Sequence, residues 1–315
     1  MTATAPPIPE AVAGQFVGES KTSLWRDTLG NILRQRNAVV GLTILTFFIL
    51  VAVFANQIAP HDPITVLLGQ EEGAKKLAPP CIHALGCPAA QPEHYFGIDQ
   101  NVRDVFSRVV YGTRVSLQIG FLTVGFAIVI GTLIGALSGY AGGKTDNILM
   151  RLMDVILAFP ALLLAIAIVT VLGTTLLNAQ LAIGIVAIPI YARIMRASVL
   201  SIKERDYVTA SQALGESGGG ILLRRILPNA LTPLIVQGTL GIAGAVIDVA
   251  ALSFLGLGAQ PPTAEWGSMI GQARNSMFAA PHLVIFPGIA LALTVLAFNL
   301  LGDGLRDALD PRLNR

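Results

Sequence analysis

The sequence predicts an all-α membrane protein with six transmembrane helices and both termini on the cytoplasmic side. Composition is the first reason: of 315 residues, 53% are hydrophobic and only 13% charged, against about 25% charged in a soluble globular chain. Mean hydropathy is +0.68. The second reason is where charge is missing, since Asp, Glu, Lys and Arg are absent from runs long enough to cross a bilayer. The third is an uneven division of basic residues between the two sides. These features argue against a soluble enzyme, and a formal net charge of +2 carries no nucleic-acid footprint.

The first span is Val39 to Ile58, uncharged throughout; as a helix it rises about 30 Å and matches the hydrocarbon core. It follows a tail, residues 1–38, in which Trp25, Leu29, Ile32 and Leu33 recur at helical spacing beside Arg26, Arg34 and Arg36. That pattern suits a helix lying at the cytoplasmic interface. A second span runs from about Val115 to Tyr140. Between Asp154 and Arg193 stand 38 residues without a charge, too many for one crossing. Two helices with a turn near Gly173 to Asn178 are expected, the third span starting near Ile148 and the fourth ending near Ile194. The fifth fits about Leu231 to Phe254 and the sixth Leu283 to Leu301. Residues 114–302 then form a five-helix core, with a cytoplasmic loop at 196–228 and a cytoplasmic tail at 303–315.

Six spans place both termini on one side, and Lys and Arg say which. With the N-terminus inside, fifteen of the 21 basic residues are cytoplasmic, among them Arg193, Arg196, Lys203, Arg205, Arg224 and Arg225. Lys75, Lys76, Arg103, Arg108, Arg114 and Arg274 are the six outside. No cleavable leader is expected, because the first apolar run starts only at Val39 and is as long as a true span.

The one long polar stretch outside, residues 59–113, contains both cysteines, in PPCIHALGC. On the oxidising face of a membrane, Cys81 and Cys87 can close a small disulfide loop. Two free thiols are the bland alternative, and His83 between them leaves a weaker metal-site reading. No other metal-ligating set is expected.

The loop between spans four and five is the most informative segment. From Asp206 to Leu214 the residues suit a short helix, Gly215 is placed to stop it, and Gly218, Gly219 and Gly220 suggest a flexible break. A second short helix, Ile221 to Leu227, is ended by Pro228 unless that proline begins span five. A short helix projecting from a membrane bundle is a handle for a soluble partner, able to dock in a groove and transmit a rigid-body push. Here the sequence resembles the permease subunits of ATP-binding-cassette (ABC) importers. Their signature loop has Glu-Ala-Ala, a Gly four positions on, and a closing Leu-Pro. This chain has Thr209, Ala210, Ser211, Gly215, Leu227 and Pro228, departing at Thr209 and Ser211, so a charge contact from the first position does not carry over.

Other stretches resemble the second permease of dipeptide and oligopeptide transporters. FGIDQNVRDVFSRVVYGTRVSL retains Gly97, Asp99, Arg103, Asp104, Ser107, Arg108, Tyr111, Gly112, Arg114 and Ser116, with Ile98 and Val102 where the family has Thr and Gly. RLMDVILAFPALLL, LSFLGLGAQPPTAEWGSMI and GDGLRDALDPRL follow in order. The resemblance implies an ABC importer type I permease-like core without chemistry of its own, in the cytoplasmic (inner) membrane. It further implies a second homologous permease, two cytoplasmic ATPases that hold ATP and Mg, and an external substrate-binding protein. No cofactor is expected on this chain, and GxxxxGK[ST] occurs nowhere in it. The implied ATPase-coupling residues are Asp206, Thr209, Ala210, Ser211, Ala213, Leu214, Gly215, Leu227 and Pro228. Di- or oligopeptides are the implied cargo, with nickel complexes or glutathione as alternatives. An ion-coupled secondary transporter would show ion-coordinating groups at mid-membrane and internal repeats, and only Asp248 answers to that.

Ionisable groups in the bilayer cost at least about 2.5 kcal/mol at its centre, so they face a bundle interior or water. Asp154, near the inner end of span three, has Arg151 three residues earlier on the same face, which favours structural pairing. Asp248 stands alone in span five and either lines the pathway or hydrogen-bonds a neighbouring helix. Asn299, near the inner end of span six, is a third pathway candidate. Pro160, Pro189 and Pro287 suggest kinks. Gly120, Gly125, Gly131 and Gly135 suggest close helix packing. Arg103, Asp104 and Arg108 either touch a binding protein or tie the outer loop to the core, the second being favoured.

Overall fold

A computed structural model describes residues 35–309; these are mostly helical, apart from the long loop at 59–104 and shorter connections. Among the described residues the extended structure amounts to two isolated bridges, Cys81 with His94 and Ile98 with Asp104. The expected interfacial helix around Trp25 to Leu33 lies outside the described residues.

Helix α1, Arg36–Val53, turns one stripe inward, Ala38, Gly41, Leu45 and Phe48, the i, i+3, i+7, i+10 pattern of a single buried face. It breaks at Phe54 and resumes as the single turn α2, Ala55–Ile58. The break is satisfied from another helix: the guanidinium of Arg114 donates to Ala52 O, to Val53 O at 3.1 Å and to Asn56 Oδ1 at 3.0 Å. A cation on the free carbonyls of a helix C-terminus also answers its dipole.

Helix α3, Val105–Ala141, starts ten residues before the apolar run. Its N-cap is Asp104, whose Oδ2 accepts from Ser107 N at 2.7 Å. Val105, Val109 and Val110 are buried, so the extra turns lie inside the protein. Then come α4, Gly143–Leu157, and α5, Ala161–Leu172, bent 91° to each other. The single third span from Ile148 is therefore corrected to two helices. The cause is Pro160, which lacks an amide donor and disfavours helical backbone at Phe159, so it separates two helices where a kink in one was expected. Helix α6, Leu176–Lys203, follows a turn at Gly173, as expected. Thr175 caps it, and Asn178 Nδ2 donates to Leu172 O and Gly173 O, each at 2.9 Å, closing the end of α5.

Helix α7 is Asp206–Ala213. The three glycines expected as a flexible break are instead a helical turn, Gly218–Gly220, capped by Ser217 Oγ on Gly220 N at 3.3 Å. That turn runs through a π-helical stretch, Ile221–Ile226, into α8, Leu227–Phe254, giving one continuous run of 37 residues. No separate second helix forms, and Pro228 stands at the junction where the π-helical stretch passes into α8. Helix α9, Trp266–Ala273, precedes α10, His282–Leu309, which continues past Leu301 into the segment expected as a tail. Pro189 and Pro287 lie buried within α6 and α10.

Glycine contacts fix the helix directions. A Cβ on Gly131 would lie 2.7 Å from Tyr191 Cβ, on Gly135 2.9 Å from Met195 Cβ, and on Gly139 3.0 Å from Val199 Cβ. The partners climb together, so α3 and α6 run parallel along a ridge of small residues four apart. Gly120 meets Ile242 and Val246 while Gly238 meets Ile128, so α8 is antiparallel to α3. Gly41 meets Ala297 and Leu301, and Gly304 meets Ala38, so α10 is antiparallel to α1. Five helices are long and apolar enough to cross a membrane, or six with the bent pair as one span. Because α3 and α6 are parallel, α4 and α5 must return the chain between them, which makes the bent pair the sixth crossing. The bundle thus has a loop end, carrying residues 59–104, and an opposite end, from which α7 projects.

Candidate coupling surface and pathway residues

At the opposite end, α7 is held by one buried residue, Val208, packed with Ile221 and Ile226 of the π-helical stretch. Arg225 Nε donates to Glu216 Oε2 at 3.1 Å, and Ser211 Oγ to Tyr207 O at 3.0 Å. The remaining face points outward: Asp206, Thr209, Ala210, Ala213, Leu214 and Gly215 are exposed, Ser211 half-buried, and Leu214 is 88% exposed. Gly215 has φ +80 with open space where a Cβ would stand. Its requirement is therefore backbone conformation, a left-handed residue ending α7. Leu227 is half-buried and Pro228 exposed at the start of α8. A short, solvent-facing helix with an apolar tip is what the geometry offers a partner.

Of the three pathway candidates, Asp154 belongs to the first arm of the bent pair. It lies on α4, exposed, and its partner is Arg193 of α6, with Nη2 2.5 Å from Oδ1. The expected pairing with Arg151 is corrected: α4 packs against α6, which brings a cation 39 positions away into reach. One turn on along α6, Arg196 makes a bidentate grip on Asp146, both distances 2.6 Å, and Asp146 also accepts from Ser138 Oγ. These charges line a recess of about 770 Å³ with Asn147 and Met150. Asp248 on α8 is half-buried, with no hydrogen bond or ion pair among the described residues. Asn299 on α10 is also half-buried. The contact of Gly302 with Leu240 puts Asn299 about one turn, and Asp248 about two turns, toward the loop end. No bond joins the three.

The loop end is clamped by the motif around Arg103 to Ser116. Asp99 Oδ2 receives Arg103 Nε at 2.8 Å, and Arg103 Nη2 reaches Gln272 Oε1 of α9 at 3.2 Å. Arg108, 1% exposed, donates to Pro63 O at 2.8 Å and Pro262 O at 3.2 Å. Buried cations so bonded tie the loop to the core, and their burial removes them from an external surface. Burial opposes ionisation of Asp104, but hydrogen bonds from His94 and Ser107 hold its carboxyl below the usual range. Glu265 caps α9 through Gly267 N at 2.8 Å and Ser268 N at 2.7 Å. Burial pushes that carboxyl up against the pull of these donors. Trp266 is fully buried and donates from Nε1 to Val109 O at 3.0 Å; Gly112 is a glycine because a Cβ would stand 2.8 Å from that Nε1. Cys81 and Cys87 are bonded to each other with Cα atoms 5.4 Å apart. His83 Nε2 turns away to Gln91 O at 2.8 Å.

Residues 131–315 match the model of binding-protein-dependent transport system inner membrane components, and residues 23–80 match the N-terminal TM domain of oligopeptide transport permease C. The chain is 45% identical to the dipeptide transport system permease protein DppC of Alkalihalophilus pseudofirmus, over 92% of this chain and 91% of that protein. It is 45% identical to the DppC of Haemophilus influenzae over 90% and 92%, and 43% identical to the glutathione transport system permease protein GsiD of Escherichia coli over 92% and 91%. Among solved structures, an inward-facing MetNI methionine ABC transporter aligns with a TM-score of 0.54 at 20% identity, over 64% of this chain and 97% of that one, a likeness of fold. The chain belongs to the family of binding-protein-dependent transport system inner membrane components, as a multi-pass transport subunit of an ABC importer.

Proposed function

We propose that this chain is one of two permeases lining the pathway of an ATP-driven importer of di- or oligopeptides in the cytoplasmic membrane. The observation that carries the reading is 45% identity to a dipeptide permease over 92% of the chain. Both termini face the cytoplasm, because the end bearing α7 also bears the excess of Lys and Arg. The exposed face of α7, from Asp206 through Thr209, Ala210, Ser211, Ala213 and Leu214 to Gly215, is the surface on which a cytoplasmic ATPase seats, with Leu227 and Pro228 joining it to α8. ATP and Mg belong to that partner. Its closure on nucleotide pushes α7, and α6 and α8 carry the displacement into the bundle. Asp248 and Asn299 face the pathway, and a binding protein delivers cargo at the loop end. The glutathione permease at 43% identity favours a second reading, in which the cargo is a tripeptide of that kind.

The test is reconstitution of the chain with its ATPases, companion permease and binding protein in proteoliposomes, offering labelled dipeptide and labelled glutathione separately. Leu214→Asp should leave the complex intact and abolish substrate-stimulated ATP hydrolysis. Unchanged stimulation in that variant would overturn the coupling assignment. Uptake of neither cargo by the unaltered complex would overturn the peptide reading.

A further inference from the structure

The 59–104 loop folds three side chains distant in sequence onto one point. His61, Glu71 and His94 each offer a ligand atom within 4.8 Å of the others. Glu71 Oε2 is 3.3 Å from His94 Nε2 and 3.9 Å from His61 Nε2. Tetrahedral zinc with nitrogen and oxygen ligands at about 2.0–2.2 Å has ligand–ligand edges of about 3.4 Å; the Glu71–His94 separation already matches, and His61 closes on Glu71 by about 0.5 Å. Glu71 Oε2 and His94 Nε2 are buried atoms without a hydrogen-bond partner, while His61 turns Nε2 toward Glu71 and its equally unpartnered Nδ1 toward Asp104 Oδ2, 3.9 Å away. One such atom in a folded protein asks for an explanation, and two that face each other at 3.3 Å, with a third residue's ring nitrogen beside them, share one.

We propose that His61, Glu71 and His94 form a site for a divalent transition metal of the zinc class, with Asp104 orienting His94. His94 Nδ1 lies 2.9 Å from Asp104 Oδ1, the carboxylate–histidine arrangement that fixes the tautomer and aims the other ring nitrogen at a metal. Asp104 is itself immobile, because its second oxygen caps α3 on Ser107 N at 2.7 Å. The ligands are anchored through their backbones. His61 N donates to Ser107 Oγ at 3.1 Å, and Glu71 N to Leu67 O at 3.1 Å. His94 exchanges two 2.9 Å bonds with Cys81, beside the disulfide. His94 is 2% exposed, while His61 and Glu71 are 24% and 30% exposed, which leaves an entry path and a fourth position for water. The ion fastens residues 61, 71 and 94 to the start of α3, and that bracing of the loop is the role the site serves.

The full chain, carried by a tag without histidine and purified with whatever subunits accompany it, is stripped with chelator and dialysed against zinc, then assayed by elemental analysis and titration calorimetry. One equivalent of zinc per chain is expected. Glu71→Gln and His94→Gln should each weaken binding at least 100-fold, and His83→Gln should leave it unchanged. Cobalt substitution of the unaltered protein, which needs no variant to fold, should give the visible absorption of a four-coordinate site. Less than 0.1 equivalent of zinc, an octahedral cobalt spectrum, or undiminished binding in both ligand variants would overturn the proposal.

Discussion

Gly131→Ala is expected to destabilise the bundle while Gly125→Ala is not, although both place one methyl group on α3. At Gly131 the added Cβ would stand 2.7 Å from Tyr191 Cβ and 3.0 Å from both Ala192 N and Ile188 O. Two of those three atoms are backbone of α6 and cannot rotate away. Restoring ordinary contact means parting the helices by roughly 0.5 Å, and overpacking of this kind costs about 1–3 kcal/mol. At Gly125 nothing lies within 4 Å. Both substitutions gain the same helix propensity, about 0.8–1 kcal/mol for Ala over Gly, so the difference between the variants isolates the clash. Thermal unfolding of the purified protein in one detergent, all three forms side by side, measures it: Gly125→Ala should hold or raise the midpoint and Gly131→Ala should lower it. Equal midpoints would refute the close packing of α3 on α6 and, with it, the parallel run that makes the bent pair a crossing.

Three further outcomes are expected. Val102 is buried at φ +57, where an L residue costs about 1–2 kcal/mol. Val102→Gly should therefore be better tolerated in thermal unfolding than Val102→Ala, the reverse of the usual order. Asp154 and Arg193 are 61% and 51% exposed, whereas Asp146 and Arg196 are 15% and 35% exposed. Asp154→Ala should cost no more than about 1 kcal/mol and Asp146→Ala distinctly more by the same assay. Asp248→Asn should assemble normally yet slow uptake of peptides with a free amino end, measured in proteoliposomes; unaltered uptake would remove its charge from the pathway.

The sequence made the membrane class, the helix order and the turn at Gly173 legible, because absence of charge over some 20 residues has few other meanings. It suggested a kink at Pro160 and hid its size, a 91° bend that ends one helix and starts another. Residues from Val155 onward are equally apolar whether a helix crosses the bilayer or ends and turns, and only α4's own mixture of Lys144, Asp146, Arg151 and Asp154 hinted that it lies at the bundle's edge. For the same reason Asp154 was matched to its helical neighbour Arg151 and not to Arg193, a partner that only the packing of α4 against α6 supplies. The glycines at 218–220 read as a break by propensity, but Ser217 caps them and the packing of Ile221 and Ile226 continues the helix. The resemblance located α7 and its terminating Gly215, where local chemistry alone dictates structure. His61, Glu71 and His94 have no regular spacing, so nothing along the chain announced that they meet. Val102 was the visible signal of strain: a bulky residue where the family has glycine.

The glycine ridge between α3 and α6 has a mechanical consequence. Interlocked backbones cannot slide past each other without losing that fit, so the pair moves as a single lever. Its long arm, α3 at 37 residues, measures about 55 Å at 1.5 Å per residue. A tilt of about 5° pivoted at one end displaces the other by about 5 Å, close to one helical turn. Arg108 and Asp104 sit at one tip and the chain leading into α7 at the other, so a small rotation driven from below arrives at the 59–104 loop as a movement the size of an amino-acid side chain.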